Sequence, residues 1–182
     1  VRLDSESDAP MKFLGEAFAT YIILEKGNAI LFIDKHAAHE RLLYEKLRRD
    51  CGKNYAQMLL EPITVTLDKT EYDALLNNLS AMEDAGFEID DYGMGTVVVR
   101  AAPQIVERDD ISDTVVEMAG YLAKNKRDIM TEKMDWLYKN VACRAAIKAG
   151  DKSSEGELMA LVEELMENPD VKYCPQGRPI CF

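Results

Sequence analysis

The alternation of apolar and polar positions divides this chain into short strands and amphipathic helices. Residues 13–24 and 29–33 are apolar runs that flank Lys26-Gly27-Asn28, whose Gly and Asn suit a tight turn, so the pattern predicts an antiparallel pair. A helix follows, reaching about residue 49. Residues 63–67 alternate as a strand, and residues 69–84 show helical periodicity through Tyr72, Leu75, Leu76, Leu79 and Met82, with Gly86 ending that helix. Residues 87–89 and 96–101 read as strands separated by a Gly-rich turn at 91–95. Three further helices are predicted at 113–126, 131–149 and 154–167; Gly150 breaks the last two apart, and Ser153 or Ser154 is available as a cap. The resulting fold class is α+β, built from small, mostly antiparallel sheets packed with helices. No internal repeat or low-complexity tract interrupts it.

Composition narrows the class. At 182 residues and 47% apolar content the chain can bury a sizeable core, shared between two lobes. No run of about 18 apolar residues exists and no basic leader precedes an apolar segment, which predicts a cytoplasmic protein with no membrane partner. Four cysteines are too few for a disulfide framework; Cys51 and Cys181 lie in no motif and read as structural. The net charge of -11 shows no basic stripe beyond residues 46–49, so duplex DNA should bind only weakly to this chain alone. Residues 1–10 are polar, acidic and lack an initiating Met, and read as a linker remnant of a longer protein.

Candidate chemistry concentrates in Asp34-Lys35-His36-Ala37-Ala38-His39-Glu40-Arg41-Leu42-Leu43-Tyr44-Glu45, directly after an apolar strand. At 3.6 residues per turn His36 and Glu40 share one helix face, roughly 40° apart, so both can reach one cation. His39 stands beside them. The order H-x-x-H-E is not the H-E-x-x-H of zinc proteases, which argues against a peptidase. The same residues also suit blander roles: Asp34 capping the helix, Glu40 and Glu45 solvated, the histidines partly buried. On this segment alone both readings stay open. Two further motifs, Ala142-Cys143-Arg144 and Cys174-Pro175-Gln176-Gly177-Arg178-Pro179, tip the balance toward a metal site.

With these three motifs in this order, nearly the whole chain resembles the C-terminal domain of MutL-family DNA mismatch repair proteins, in the branch that carries a latent endonuclease. The family's D-Q-H-A-x2-E-x4-E is matched by Asp34, His36, Ala37, Glu40 and Glu45, with Lys35 departing from the usual Gln. Its A-C-R matches residues 142–144, and its C-P-H-G-R-P matches residues 174–179, except that Gln176 stands where the family usually has His. The resemblance implies metal ligation by Asp34, His36, Glu40, Cys143, Cys174 and, doubtfully, Gln176, since an amide oxygen is a weaker zinc ligand than imidazole. It implies a dimerisation lobe at 11–60 and 131–182 bearing the endonuclease site, a regulatory lobe inserted at 61–130, and a homodimer. The whole protein would add an ATPase portion that binds ATP, which this chain does not, and contact with a mismatch-recognition protein.

The reaction expected from the resemblance is metal-dependent hydrolysis that nicks one strand of duplex DNA. Such hydrolysis needs a cation to polarise the phosphoryl oxygen, activate water and offset charge on the leaving oxygen. Asp34 and Glu40 are the expected catalytic residues, holding manganese or magnesium, while His36, Cys143 and Cys174 suit zinc in a structural or regulatory position. Glu45 and Arg144 would stand behind the ligands, and Arg178 would contact phosphate or anchor the C-terminal segment by a salt bridge. Gln57-Met58-Leu59-Leu60-Glu61-Pro62 resembles the Q-x-L peptide by which bacterial proteins dock on the sliding clamp, with Gln57, Leu59, Leu60 and Pro62 as contacts. The plainer role for this peptide is a strand with Leu59 and Leu60 in the core. Clamp docking would deliver DNA to an acidic domain by raising its local concentration. An alternative function keeps dimerisation and clamp docking with a metal site impaired by Gln176.

Overall fold

The computed structural model describes residues 10–50, 52–125, 128, 130–148, 150–168 and 171–181. The expected linker, Pro10 apart, lies outside the described residues, as do Cys51, the helix ends expected at Lys126 and Ala149, and Phe182. In chain order the elements are β1 (Met11–Ala17), β2 (Tyr21–Lys26), β3 (Ala29–Asp34), α1 (Lys35–Asp50), β4 (Ala56–Thr66), α2 (Lys69–Leu76), α3 (Leu79–Asp84), β5 (Glu88–Gly93), β6 (Thr96–Pro103), α4 (Arg108–Lys124), α5 (Met130–Ala145) and α6 (Glu155–Met166). They form two small antiparallel sheets, ordered β1-β2-β3 and β4-β6-β5, packed with helices, so the fold is α+β as the sequence pattern predicts. The chain divides into two compact units, Val1–Leu43 with Ala146–Phe182, and Tyr44–Ala145. The segment 61–130 falls wholly within the second unit.

In the first unit the two-residue turn Gly27-Asn28 joins β2 to β3 in the register Lys26↔Ala29, with Gly27 at φ +58°. Residues 13–24, read from sequence as one strand, are two. The chain reverses at Phe18-Ala19, both left-handed at φ +55° and +47°, and Thr20 N–H closes the turn on Ala17 O at 3.0 Å. No Gly or Asn marks this reversal, so turn chemistry gave no sign of it. Ile22, Leu24, Leu31 and Ile33 point from the sheet into a core shared with Leu158 and Val162 of α6. Ser154 caps α6, its hydroxyl accepting from Glu157 N–H while the Glu157 carboxylate accepts from Ser154 N–H, a reciprocal capping box.

In the second unit the helix predicted over 69–84 is broken into α2 and α3. The amides of Asn77 and Asn78 donate to the Asp73 and Ala74 carbonyls at 2.7 and 2.8 Å, satisfying the backbone where the helix stops. Strand β4 is longer than the pattern at 63–67 suggests because it takes in the Gln57–Pro62 peptide, and its pairing with β6 is irregular between Met58 and Ile63. Val97 and Val99 of β6, Met82 of α3 and Ile111, Val115 and Met118 of α4 are buried. Tyr121 and Trp136 stack with ring centroids 4.0 Å apart.

Candidate metal centre

Strand β3 ends at Asp34 and α1 starts at the next residue, so the acidic motif sits on rigid backbone at a sheet edge. Asp34 Oδ1 accepts from Ala37 N–H at 2.9 Å, which is a helix cap. The capping role weighed from sequence is therefore real. One turn further on, Glu40 is fully buried, so the solvated alternative does not hold for it. Glu45, beyond Leu43, belongs to the second unit and is half-buried.

The distant C-terminal motif reaches α1 through the sheet edge. Cys174-Pro175-Gln176-Gly177 is a tight turn closed by Gly177 N–H on Cys174 O at 2.8 Å, with Gly177 at φ +88°. Cys174 N–H then donates to Arg178 O at 2.8 Å, and the returning limb lies beside β3, with Asp34 N–H on Ile180 O at 2.9 Å and Ile33 bridged to Cys181. As a result Gln176 Nε2 donates to Glu40 Oε1 at 3.2 Å, and Arg178 Nη2 donates to Gln176 Oε1 at 3.2 Å and stands 3.9 Å from Glu40 Oε2. Cys174 is a buried free thiol whose Sγ accepts from Arg178 N–H at 3.4 Å.

Among the described residues Glu40 Oε2 has no hydrogen-bond partner, and His36 Nε2 lies 3.9 Å from it. Burial raises the Glu40 carboxyl above its ordinary value; His36, Arg178 and the Gln176 amide pull it back down, and Asp34 adds to the rise. An orphaned buried carboxylate oxygen facing an imidazole nitrogen is a donor pair that fits a cation. Among the described residues, however, no three His, Cys, Asp or Glu side chains come together as a metal-holding group. Cys143 and Arg144 lie on α5 in the second unit, where Arg144 Nη2 is paired with Glu117 Oε2 at 2.6 Å.

The family model for the MutL C terminal dimerisation domain matches residues 14–153. The chain belongs to this family. It is 31% identical over 172 residues to the DNA mismatch repair protein MutL of Clostridium botulinum (strain Kyoto / Type A2), covering 93% of this chain and 26% of that protein. It is 33% identical over 168 residues to the MutL of Rhizorhabdus wittichii, covering 91% and 28%. The MutL of Clostridium tetani is 33% identical over 172 residues, 93% of this chain and 28% of that protein. This MutL C-terminal domain thus spans about a quarter of the length of the curated relatives it matches. Among its described residues no helix is long and apolar enough to cross a membrane.

Two residues that the structure ties to the site, Lys35 and Ile147, carry no role in the sequence motifs. Lys35 is fully buried, with its ammonium 2.6 Å from Glu16 Oε1 and donating to Asp151 O at 2.6 Å. Ile147 bonds both histidines through its backbone, to His36 Nδ1 at 2.8 Å and to His39 Nδ1 at 3.1 Å. A charged residue inside an otherwise core-facing helix start was the available signal for Lys35. Backbone partners such as Ile147 leave none in the sequence.

Proposed function

We propose that this chain is the homodimerisation domain of a DNA mismatch repair protein and carries a latent metal-dependent endonuclease that nicks one strand of duplex DNA. The observation that carries the nuclease reading is Glu40, a buried carboxylate whose Oε2 has no hydrogen-bond partner among the described residues and stands 3.9 Å from both His36 Nε2 and Arg178 Nη2. An unsatisfied buried carboxylate is costly unless a proton or a cation neutralises it. His36 and Glu40, with Asp34 and Cys174 of the same unit, are the residues that would hold the ion. Oxygen donors favour manganese or magnesium; imidazole and thiolate favour zinc. Bound there, a divalent cation supplies Lewis acidity and offsets charge on the phosphoryl oxygens during hydrolysis. The chain's own groups fix the donors: the α1 cap holds Asp34, and the Gln176 amide orients Glu40. ATP and a mismatch-recognition protein would engage other parts of the whole protein.

Dimerisation is assigned to the outer face of the β1-β2-β3 sheet. Ile30 and Phe32 are 56% and 41% exposed and alternate with buried Leu31 and Ile33, while Ile23 pairs with Phe32 and Leu14 is 45% exposed. The matched family is described by dimerisation, and an apolar sheet face of this kind suits a second copy of the chain. The sliding clamp is the proposed partner of the Gln57–Pro62 peptide. Leu60 is 98% exposed, which removes it from the core, and Met58 is 63% exposed. Leu59 is half-buried. These residues border a cavity of about 230 Å³ together with Pro103 and Arg108.

A second reading is favoured by the amide of Gln176 and the guanidinium of Arg178, which already face Glu40. On that reading the domain dimerises and docks on the clamp with an impaired metal site. Nicking of supercoiled plasmid in manganese, with and without clamp, separates the two. Nicking lost in Asp34→Asn supports the nuclease, and no nicking even with clamp supports the docking module. Loss of clamp affinity in Leu60→Ala supports the docking peptide, and unchanged affinity removes it.

A further inference from the structure

We infer that the backbone of Ile147 sets the two histidines of this chain in opposite tautomers, and that buried Lys35 is the positioning residue that holds this backbone in place. A carbonyl oxygen only accepts, so the 2.8 Å contact between His36 Nδ1 and Ile147 O requires the proton on Nδ1 and, in the neutral ring, leaves the lone pair on Nε2. A backbone N–H only donates, so the 3.1 Å bond from Ile147 N–H requires the lone pair of His39 on Nδ1 and its proton on Nε2. One residue therefore gives adjacent histidines different chemistry. In its neutral form His36 turns an acceptor nitrogen toward Glu40, whereas His39, the residue next to Glu40 in sequence, has its Nδ1 lone pair committed to the backbone.

The segment that carries Ile147 is tied down on the side of Lys35. The ammonium donates to Asp151 O and pairs with Glu16 Oε1, both at 2.6 Å, and its residue is fully buried. Asp151 in turn closes a local loop, with Lys148 N–H donating to its Oδ2 at 2.8 Å and its own N–H to Lys148 O at 3.1 Å. Gly150 N–H reaches Ala19 O at 2.9 Å, and Lys35 N–H reaches Thr20 O at 3.0 Å, so the same anchor also holds the β1–β2 turn. Breaking one member of a buried ion pair leaves the other uncompensated, so loss of the ammonium should loosen the segment rather than leave it unchanged. The inference stands on backbone geometry and goes beyond the reaction proposed above without resting on it.

The test is the two-bond proton–nitrogen spectrum of the histidine rings in the nitrogen-15-labelled chain without added metal. The chain contains 2 histidines, so two ring patterns describe it fully. One ring should be protonated at Nδ1 and the other at Nε2. His39→Asn, whose amide oxygen replaces Nδ1 as the acceptor for Ile147, should remove the second pattern and keep the first. Two rings in the same tautomer, or loss of the Nδ1-protonated pattern in His39→Asn, overturn the assignment. Lys35→Met should draw the two His36 nitrogen resonances toward an averaged tautomer, and Lys35→Gln, which retains a donor for Asp151 O, should move them back. Glu16→Gln is the milder companion variant, keeping the fold under less strain, and should shift the same resonances in the same direction. An unmoved His36 ring in folded Lys35→Met or in Glu16→Gln overturns the positioning role.

Discussion

Replacing Glu40 by Gln should stabilise the metal-free domain and remove its response to metal. The substitution keeps side-chain volume and keeps an acceptor for Gln176 Nε2, now 3.2 Å from Glu40 Oε1. What it removes is the charge on a buried carboxylate whose Oε2 has no hydrogen-bond partner among the described residues. Burying a charge costs more than burying a neutral amide, and the NH2 that Gln puts in place of Oε2 can donate toward the Nε2 of a neutral His36, so E40Q should gain about 1–3 kcal/mol in urea unfolding with EDTA at neutral pH. In a chain of this size each kcal/mol raises the thermal midpoint by about 2–4 °C. The sign with pH follows from the direction of the Glu40 shift. Its carboxyl is raised in the folded protein, chiefly by burial, so ionising it opposes folding above that raised value. As pH falls through the raised value toward the ordinary one of an unfolded carboxyl, wild type becomes protonated and the advantage of E40Q disappears. With manganese or zinc at about a hundred times the dissociation constant, a cation bound to the folded state adds roughly 2.7 kcal/mol to wild type. The variant should gain little, and the order of the two proteins should narrow or reverse. If E40Q is less stable than wild type in EDTA at neutral pH, the carboxylate is a net structural partner of Gln176, Arg178 and His36, and the argument for a cation fails.

Three other variants test separate parts of the structure. Gln176→His replaces an amide with an imidazole beside Glu40 and should tighten zinc binding by roughly an order of magnitude, read by competition with a chromophoric chelator; unchanged affinity would mean that position 176 does not face the metal. Phe18→Asn combined with Ala19→Gly relieves two left-handed residues in the β1–β2 turn and should raise unfolding free energy in urea by about 1–2 kcal/mol, whereas a loss of stability would mean that the exposed Phe18 ring has a packing role. Ile30→Lys with Phe32→Glu should convert dimer to monomer in sedimentation velocity without changing the circular dichroism spectrum. A persistent dimer would move the interface off the β1-β2-β3 face.

Much of this arrangement was legible because local chemistry wrote it into the sequence. Gly27-Asn28 marked the β2–β3 turn, the apolar run at 29–33 marked β3, and Ser153 or Ser154 marked the start of α6, where Ser154 proves to be the cap. The spacing of His36 and Glu40 puts both on one face of a helix. The missed features are those decided by tertiary partners. The Phe18-Ala19 reversal carries no turn residue and is held from outside, by Gly150 N–H on Ala19 O and Lys35 N–H on Thr20 O. The break between α2 and α3 depends on asparagine side chains that would be tolerated in a continuous exposed helix. The centre itself was only half readable, for the same reason. Gln176 meets Glu40 because residues beyond Val171 form a tight hairpin whose second limb bonds the free edge of β3, a pairing separated by more than a hundred residues of chain. Motif matching brought those residues to attention, but only sheet-edge pairing explains why an amide and a guanidinium, instead of solvent, now face the buried carboxylate. That arrangement is what makes Gln176 informative: it sits where it can either substitute for a cation in satisfying Glu40 or yield to one, and the metal dependence of E40Q stability distinguishes these two states.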